Sequence, residues 1–101
     1  MAQVVWTGPA AEDLRQVHQF IARDSKQYAS ITVRRIRETV ARLESFPESG
    51  RVVPEFPGGQ YREVLVGQYR AVYRYLADRN QVRVLAVVHG SRLLPPLLEG
   101  R

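Results

Sequence analysis

Cysteine is absent from the 101 residues, and only two histidines occur, His18 and His89. A disulfide framework and a thiolate metal site are thereby excluded, and two histidines are too few for a zinc centre. No metal and no cofactor are expected, and such a chain suits a reducing cytosol. No run of about 18 uncharged apolar residues occurs. The start, Met1-Ala2-Gln3-Val4-Val5-Trp6, lacks the basic residues and long apolar stretch of a signal peptide. A soluble, cytoplasmic protein with no membrane association is the expectation. Internal repeats and low-complexity tracts are missing too. Lysine is nearly missing: Lys26 is the single one.

What is present is arginine. Fifteen Lys plus Arg stand against ten Asp plus Glu, for a formal charge of +5 and an isoelectric point near 10.2, so an anionic partner is expected. Guanidinium groups fork onto phosphate or carboxylate bidentately where an ammonium cannot. The hydrophobic share of 45% is enough for one core, and the length leaves no room for a second, so residues 1–101 are read as a single domain.

Periodicity divides the chain. Gln3 to Trp6 reads as a short strand, followed by Thr7 or Gly8 as a helix cap and Pro9 at the first helical position. Leu14, Val17 and Ile21 recur at spacings of three and four and define an amphipathic helix from about Pro9 to Asp24; Ala29, Val33, Ile36, Val40 and Leu43 define a second from about Lys26 to Phe46. The break at Asp24-Ser25 makes them a hairpin. Pro47, Gly50, Pro54, Pro57, Gly58 and Gly59 mark a connecting loop. After it come three strands, Tyr61 to Val66, Tyr69 to Leu76 and Gln81 to His89, whose links are short enough for an antiparallel meander. The tail Ser91-Arg92-Leu93-Leu94-Pro95-Pro96-Leu97-Leu98 is apolar but too proline-broken for a long helix; it folds back or meets a partner.

Side chains on a strand alternate between two faces. Ala71, Tyr73 and Tyr75 share one face of the middle strand, Arg70, Val72 and Arg74 the other. Arg62 goes with Val64 and Val66, and Arg83 with Leu85, Val87 and His89. If the arginine-bearing sides coincide, one sheet face presents Arg62, Arg70, Arg74, Arg83 and His89, with Arg92 just beyond, and the opposite face packs on the helices. That mixed Arg and Val face, with the apolar tail, is then a groove for an amphipathic acidic partner helix.

The run Gly50-Arg51-Val52-Val53-Pro54-Glu55, then Tyr61-Arg62-Glu63-Val64, Tyr69-Arg70-Ala71-Val72-Tyr73 and His89-Gly90-Ser91-Arg92 is similar to the signature of the RelE/ParE toxin superfamily of plasmid-stabilisation and toxin–antitoxin proteins. Ala11-Glu12-Asp13-Leu14 and Leu43-Glu44-Ser45-Phe46-Pro47 fit the same family's helical hairpin. The resemblance implies an α+β fold in which an antiparallel sheet, a short N-terminal strand plus a three-stranded C-terminal meander, carries a two-helix hairpin on one face. It also implies growth arrest by a toxin held in a hetero-oligomer with a cognate antitoxin.

Two activities compete within that superfamily. RelE-like members cut messenger RNA on the ribosome; ParE-like members inhibit DNA gyrase and have no hydrolytic chemistry of their own. RNA cleavage needs a base, an acid and positive charge on the phosphate. Arg70 and Arg92 match the basic positions of RelE-like nucleases, with His89 as the remaining proton-transfer group. The C-terminal tyrosine or histidine of such nucleases is lacking, since Leu93 to Leu98 hold only leucine and proline, and Arg62 and Glu63 stand where RelE has lysines. His89 also reads as a strand-end histidine that hydrogen-bonds locally, which is the favoured role; Glu55 and Glu63 read as a base or as ion-pair partners of a neighbouring arginine; His18 and the aromatics Trp6, Tyr73 and Tyr75 read as packing. The residues therefore favour a ParE-like gyrase inhibitor whose Arg62, Arg70, Arg74, Arg83 and Arg92 meet an antitoxin or another anionic target. The alternatives are a ribosome-dependent endoribonuclease using His89, Arg70 and Arg92, and a non-toxic basic binding module on the same fold.

Overall fold

Thr7 ends the first strand and starts the first helix: its hydroxyl donates to the Val84 carbonyl at 2.8 Å and accepts from the Ala10 N–H at 3.3 Å, with Pro9 in the first turn. The computed structural model describes residues 1–92, 94, 98 and 101. Strand β1 (Gln3–Trp6) leads into α1 (Gly8–Ala22), and α2 (Lys26–Ala41) continues in a 3-10 turn, Arg42–Glu44. Ser25 caps α2 by accepting from the Tyr28 N–H at 3.0 Å, so the break between the helices is itself a helix start. Strands β2 (Arg51–Val52), β3 (Arg62–Val66), β4 (Tyr69–Leu76) and β5 (Gln81–His89) follow. Gly67, at φ +57°, supplies the left-handed residue of the tight turn between β3 and β4.

The five strands form one sheet in the order β1-β5-β4-β3-β2. The α+β architecture and its hairpin are as the sequence predicts, while two strand details are corrected. β1 runs parallel to β5, so the sheet is mixed; the long path through hairpin and meander lets the N-terminal strand return beside β5 in either direction. The loop expected from Pro47 to Gly59 also contains β2, which pairs with β3 through Arg51↔Glu63 and Val52↔Arg62. Pro54, with no N–H to give a ladder, follows it closely.

Register decides the faces. Opposite residues of an antiparallel pair point the same way, and Arg62 pairs with Tyr73, Val64 with Ala71 and Val66 with Tyr69. That is the helix side, where Leu14, Ile36, Val40, Leu43, Tyr73, Val82, Val84 and Val87 form the main core. Between β4 and β5 the pairing steps from Val72↔Ala86 to Tyr73↔Val84, leaving Leu85 as an extra residue. This β-bulge reverses the alternation of β5: Arg83 opposes Arg74, whereas His89 opposes Tyr69. The expectation that one face carries Arg62, Arg70, Arg74, Arg83 and His89 is therefore corrected. Arg70, Arg74 and Arg83 share the face away from the helices; Arg62 and His89 lie on the helix side.

That far face is not an open groove either. Val53, Val72, Leu85, Ala86, Val88, Leu94 and Leu98 make a second core there, with Phe56 and Tyr61 packed against it. Of the apolar tail, Leu94 and Leu98 thus fold back onto the sheet, and the rest of that stretch, residues 93 and 95–97, lies outside the described residues.

Gly50 sits where the loop crosses the sheet. Its N–H donates to the buried Tyr73 hydroxyl at 2.9 Å, and a Cβ there would meet that oxygen at 2.6 Å and the Glu63 carbonyl at 2.7 Å. Gly50→Ala is expected to cost about 1–3 kcal/mol, read as a lowered urea midpoint at unchanged slope; a midpoint equal to wild type would show that the loop shifts freely.

Candidate functional site

Glu63 is the centre of the polar structure on the far face. The β2–β3 register sets Arg51 opposite it, and the β3–β4 register sets Arg70 diagonally across, opposite Leu65. Its carboxylate, with no exposed side-chain surface, accepts from the Arg51 Nε at 2.6 Å and from the Arg70 Nε at 2.6 Å. Glu55 arrives from the loop after Pro54 and takes the other edge of the Arg70 guanidinium in a fork, Nη2–Oε1 2.7 Å and Nη1–Oε2 2.9 Å. The Arg92 carbonyl accepts a longer bond from Arg70 Nη1, at 3.5 Å.

Two guanidinium groups and two carboxylates make the cluster formally neutral, and Arg70 is nearly buried within it, with 7% of its side chain exposed. Hydrogen bonding to Glu55 is the main force raising the Arg70 pKa, ahead of the opposing effect of burial, so the group stays charged. The same bonds from Arg70 hold the Glu55 carboxyl below its ordinary value of 4.5. All three side-chain nitrogens of Arg70 are thus committed within the protein.

The other predicted residues fall into separate places. His89 is exposed at the end of β5, edge-on to Tyr69 with ring centres 5.8 Å apart. The Ser91 backbone N–H points at its Nδ1 at 3.2 Å and the Ser91 Oγ lies 2.8 Å away, while Nε2 faces the Gln68 Oε1 at 3.4 Å. With the Ser91 N–H donating to Nδ1, Nε2 is the ring nitrogen left to donate toward Gln68. Arg92 is exposed and lines with His89, Tyr69, Asp13 and Phe20 a hollow of about 370 Å³. Arg70, pointing through the opposite face, does not line it. Arg62 reaches the Gly50 carbonyl at 2.9 Å and Glu48 at 3.9 Å. Arg74 and Arg83 stand together near Tyr61 in a different cavity.

Asp13 is the functional-looking residue that sequence reasoning passed over. Its carboxylate accepts from the Val87 N–H at 3.1 Å and from Arg101 at 2.7 Å, so α1 closes a backbone group on the edge of β5 that β1 does not reach. Apart from its place in the Ala11-Glu12-Asp13-Leu14 run, the local signal was only an acid in the first half of an amphipathic helix. Among the described residues no group of three or more His, Cys, Asp or Glu side chains is placed to hold a metal ion, and no helix is long and apolar enough to cross a membrane.

Against known families, residues 4–94 match the sequence model of the ParE toxin of the type II toxin–antitoxin system parDE. The chain belongs to the ParE toxin family. It is also 31% identical over 93 residues to "Toxin RelE2" of Caulobacter vibrioides, covering 92% of this chain and 100% of that protein. Among solved structures, its fold is shared with the chromosomal ParDE toxin–antitoxin system of P. aeruginosa, at TM-score 0.69 and 21% identity over 88% of this chain and 96% of that one. It is shared also with the toxin–antitoxin complex RelBE2 of Mycobacterium tuberculosis, at TM-score 0.62 and 20% identity over 87% and 96%. This family member is therefore a toxin of a type II toxin–antitoxin system, within the RelE/ParE superfamily.

Removing one partner of a buried ion pair strands the other charge. Glu63→Gln is expected to lower unfolding stability by about 3–5 kcal/mol in denaturant titration, and a loss under about 1 kcal/mol would mean that the cluster behaves as surface charge. The pH dependence has a defined sign. Because the folded-state pKa of Glu55 is depressed, its contribution is present above the unfolded value and lost as pH falls through the folded one. Melting curves recorded from neutral pH to about pH 3 should show a smaller stability loss for Glu55→Gln than for the wild type; identical profiles would exclude Glu55 as a contributor.

Proposed function

We propose that this ParE family member is neutralised by a cognate antitoxin and inhibits DNA gyrase without cutting nucleic acid. The observation that carries the reading is the closure of Arg70. A guanidinium already forked by Glu55 and hydrogen-bonded by Glu63 has no free two-donor edge left to fork a phosphate, and stabilising the charge that develops on the phosphoryl oxygens requires free, pre-aimed donors. The placement of His89 on the other side of the sheet supports the same view, since an acid–base group and a phosphate clamp must converge on one reacting centre.

Antitoxin binding is supported by the apolar surface that the fold leaves at the hairpin tip. Phe20 and Tyr28 are largely exposed, 64% and 57%, and with Val66 and Tyr69 they line a hollow of about 430 Å³. Large exposed aromatics around a concavity are the usual anchors of a protein partner. The RelBE2 structure named above is a toxin–antitoxin complex, in keeping with this reading.

A ribosome-dependent endoribonuclease is the second reading. It is favoured by the shared hollow of His89 and Arg92 and by the name of the Caulobacter relative. Induced expression, with messenger RNA mapped by primer extension and gyrase supercoiling assayed in parallel, separates the two. The gyrase reading expects inhibited supercoiling, no codon-positioned cuts and full toxicity of His89→Ala. Cuts with normal supercoiling, abolished by His89→Ala, would overturn it, and absence of any growth defect would leave a non-toxic binding module.

A further inference from the structure

Arg74 and Arg83 are directly opposed across β4 and β5, and both side chains are exposed. Like charges in opposed register destabilise a strand pair. Among the described residues no carboxylate pairs with either one. The contrast with Arg70, four residues before Arg74 on the same face of β4 and matched by two glutamates, is sharp. The fold neutralises its buried guanidinium and leaves these two in repulsion.

The space around them is shaped. A cavity of about 460 Å³ opens over the pair, walled by Tyr61, Leu76, Leu85 and the first residues of α1. The Arg74 guanidinium carbon lies 5.9 Å from the centre of the Tyr61 ring, and that ring is itself braced edge-on by Phe56, with centres 4.8 Å apart. The beginning of a 15-residue helix adds partial positive charge to the same wall. Arg101 also reaches the cavity, but its charge is already met by Asp13 at 2.7 Å. The unmatched charge is therefore that of two adjacent forks beside an aromatic ring and two leucines.

We propose that this cavity binds a nucleoside phosphate, its phosphate oxygens bridging Arg74 and Arg83 and its base lying against Tyr61. A phosphate accepts bidentate bonds from more than one guanidinium at once, which cancels the cross-strand repulsion. A single carboxylate carries charge enough for only one of the two. Stacking on an aromatic side chain suits any base, and the cavity is of the size that encloses a small ligand. The site stands apart from the choice between gyrase and ribosome, because neither His89, Arg92 nor the hollow at the hairpin tip takes part in it. The same chemistry is offered by a free nucleotide and by a nucleotide within a single strand.

The test uses the purified full chain with ADP, inorganic pyrophosphate and a short single-stranded oligonucleotide, followed by titration calorimetry and melting temperature. ADP is expected to bind and to raise the melting temperature. The double variant Arg74→Gln, Arg83→Gln should lose about tenfold or more in affinity while its unliganded melting temperature equals or exceeds that of the wild type, since the repulsion is gone. Tyr61→Leu should narrow the preference for ADP over pyrophosphate. Should the double variant fold poorly, Arg83→Lys, which keeps the charge and removes the fork, should still weaken ADP binding. A free-nucleotide site takes ADP as well as the oligonucleotide; a nucleic-acid site takes the oligonucleotide more tightly, with a steep loss on adding salt. The proposal is overturned if neither ADP nor the oligonucleotide binds, whatever pyrophosphate does, if binding is unchanged in the arginine variants, or if a poly-glutamate peptide occupies the pair as tightly as ADP.

Discussion

One carboxylate ties four segments together. Glu63 has no exposed side-chain surface, and an ionised group in that position is tolerable only because Arg51 and Arg70 reach it at hydrogen-bonding distance. Arg51 brings β2 to the edge of the sheet, Arg70 brings the centre of β4, and through Arg70 the loop carrying Glu55 is drawn over the sheet. Once that loop is in place, Val53, Phe56 and Tyr61 cover Val72, Leu85 and Val88. The ion cluster thus holds the loop that covers part of the second core, which Leu94 and Leu98 complete.

The second constraint is the extra residue in β5. Leu85 and Ala86 both face the far core, and beyond them the strand resumes with its alternation reversed, so Val87 and His89 point to the helix side. A single inserted residue thereby divides the basic side chains into two populations: Arg70, Arg74 and Arg83 on one surface, His89 with neighbouring Arg92 at the rim of the other. Chemistry that would need Arg70 and His89 at one phosphate is separated by the thickness of the sheet.

Membership of the ParE family and similarity to a protein named for RelE meet in this chain without contradiction, because the superfamily shares a scaffold and varies the side chains on it. Here the scaffold carries a neutral cluster around Arg70. Among the described residues, the positive charge without an ion pair includes the opposed Arg74 and Arg83 and also Arg92, and the exposed apolar surface includes the hairpin tip around Phe20 and Tyr28.

Local physics was legible from the chain itself. Leu14, Val17, Ile36 and Val40 announced the helix faces by spacing, Thr7 or Gly8 the start of the first helix, Asp24-Ser25 the break between the two, and the short links Gly67-Gln68 and Asp78-Arg79-Asn80 the meander, because each of these depends on residues a few positions apart. The resemblance carried by Tyr61 to Arg92 was also enough for the family. What spacing could not reach was pairing between distant segments: the parallel return of β1, the seating of Arg51 opposite Glu63, the bulge at Leu85 and the return of Asp13 to Val87. A strand's alternation is a property of its own residues, but which of its two faces meets which face of a neighbour is set by register, and a one-residue shift reverses every side chain beyond it. For that reason the sequence by itself determined the elements, the family and the excess of arginine. Only the tertiary structure decided which arginines are buried against glutamate and which still face solvent with their charge unmet.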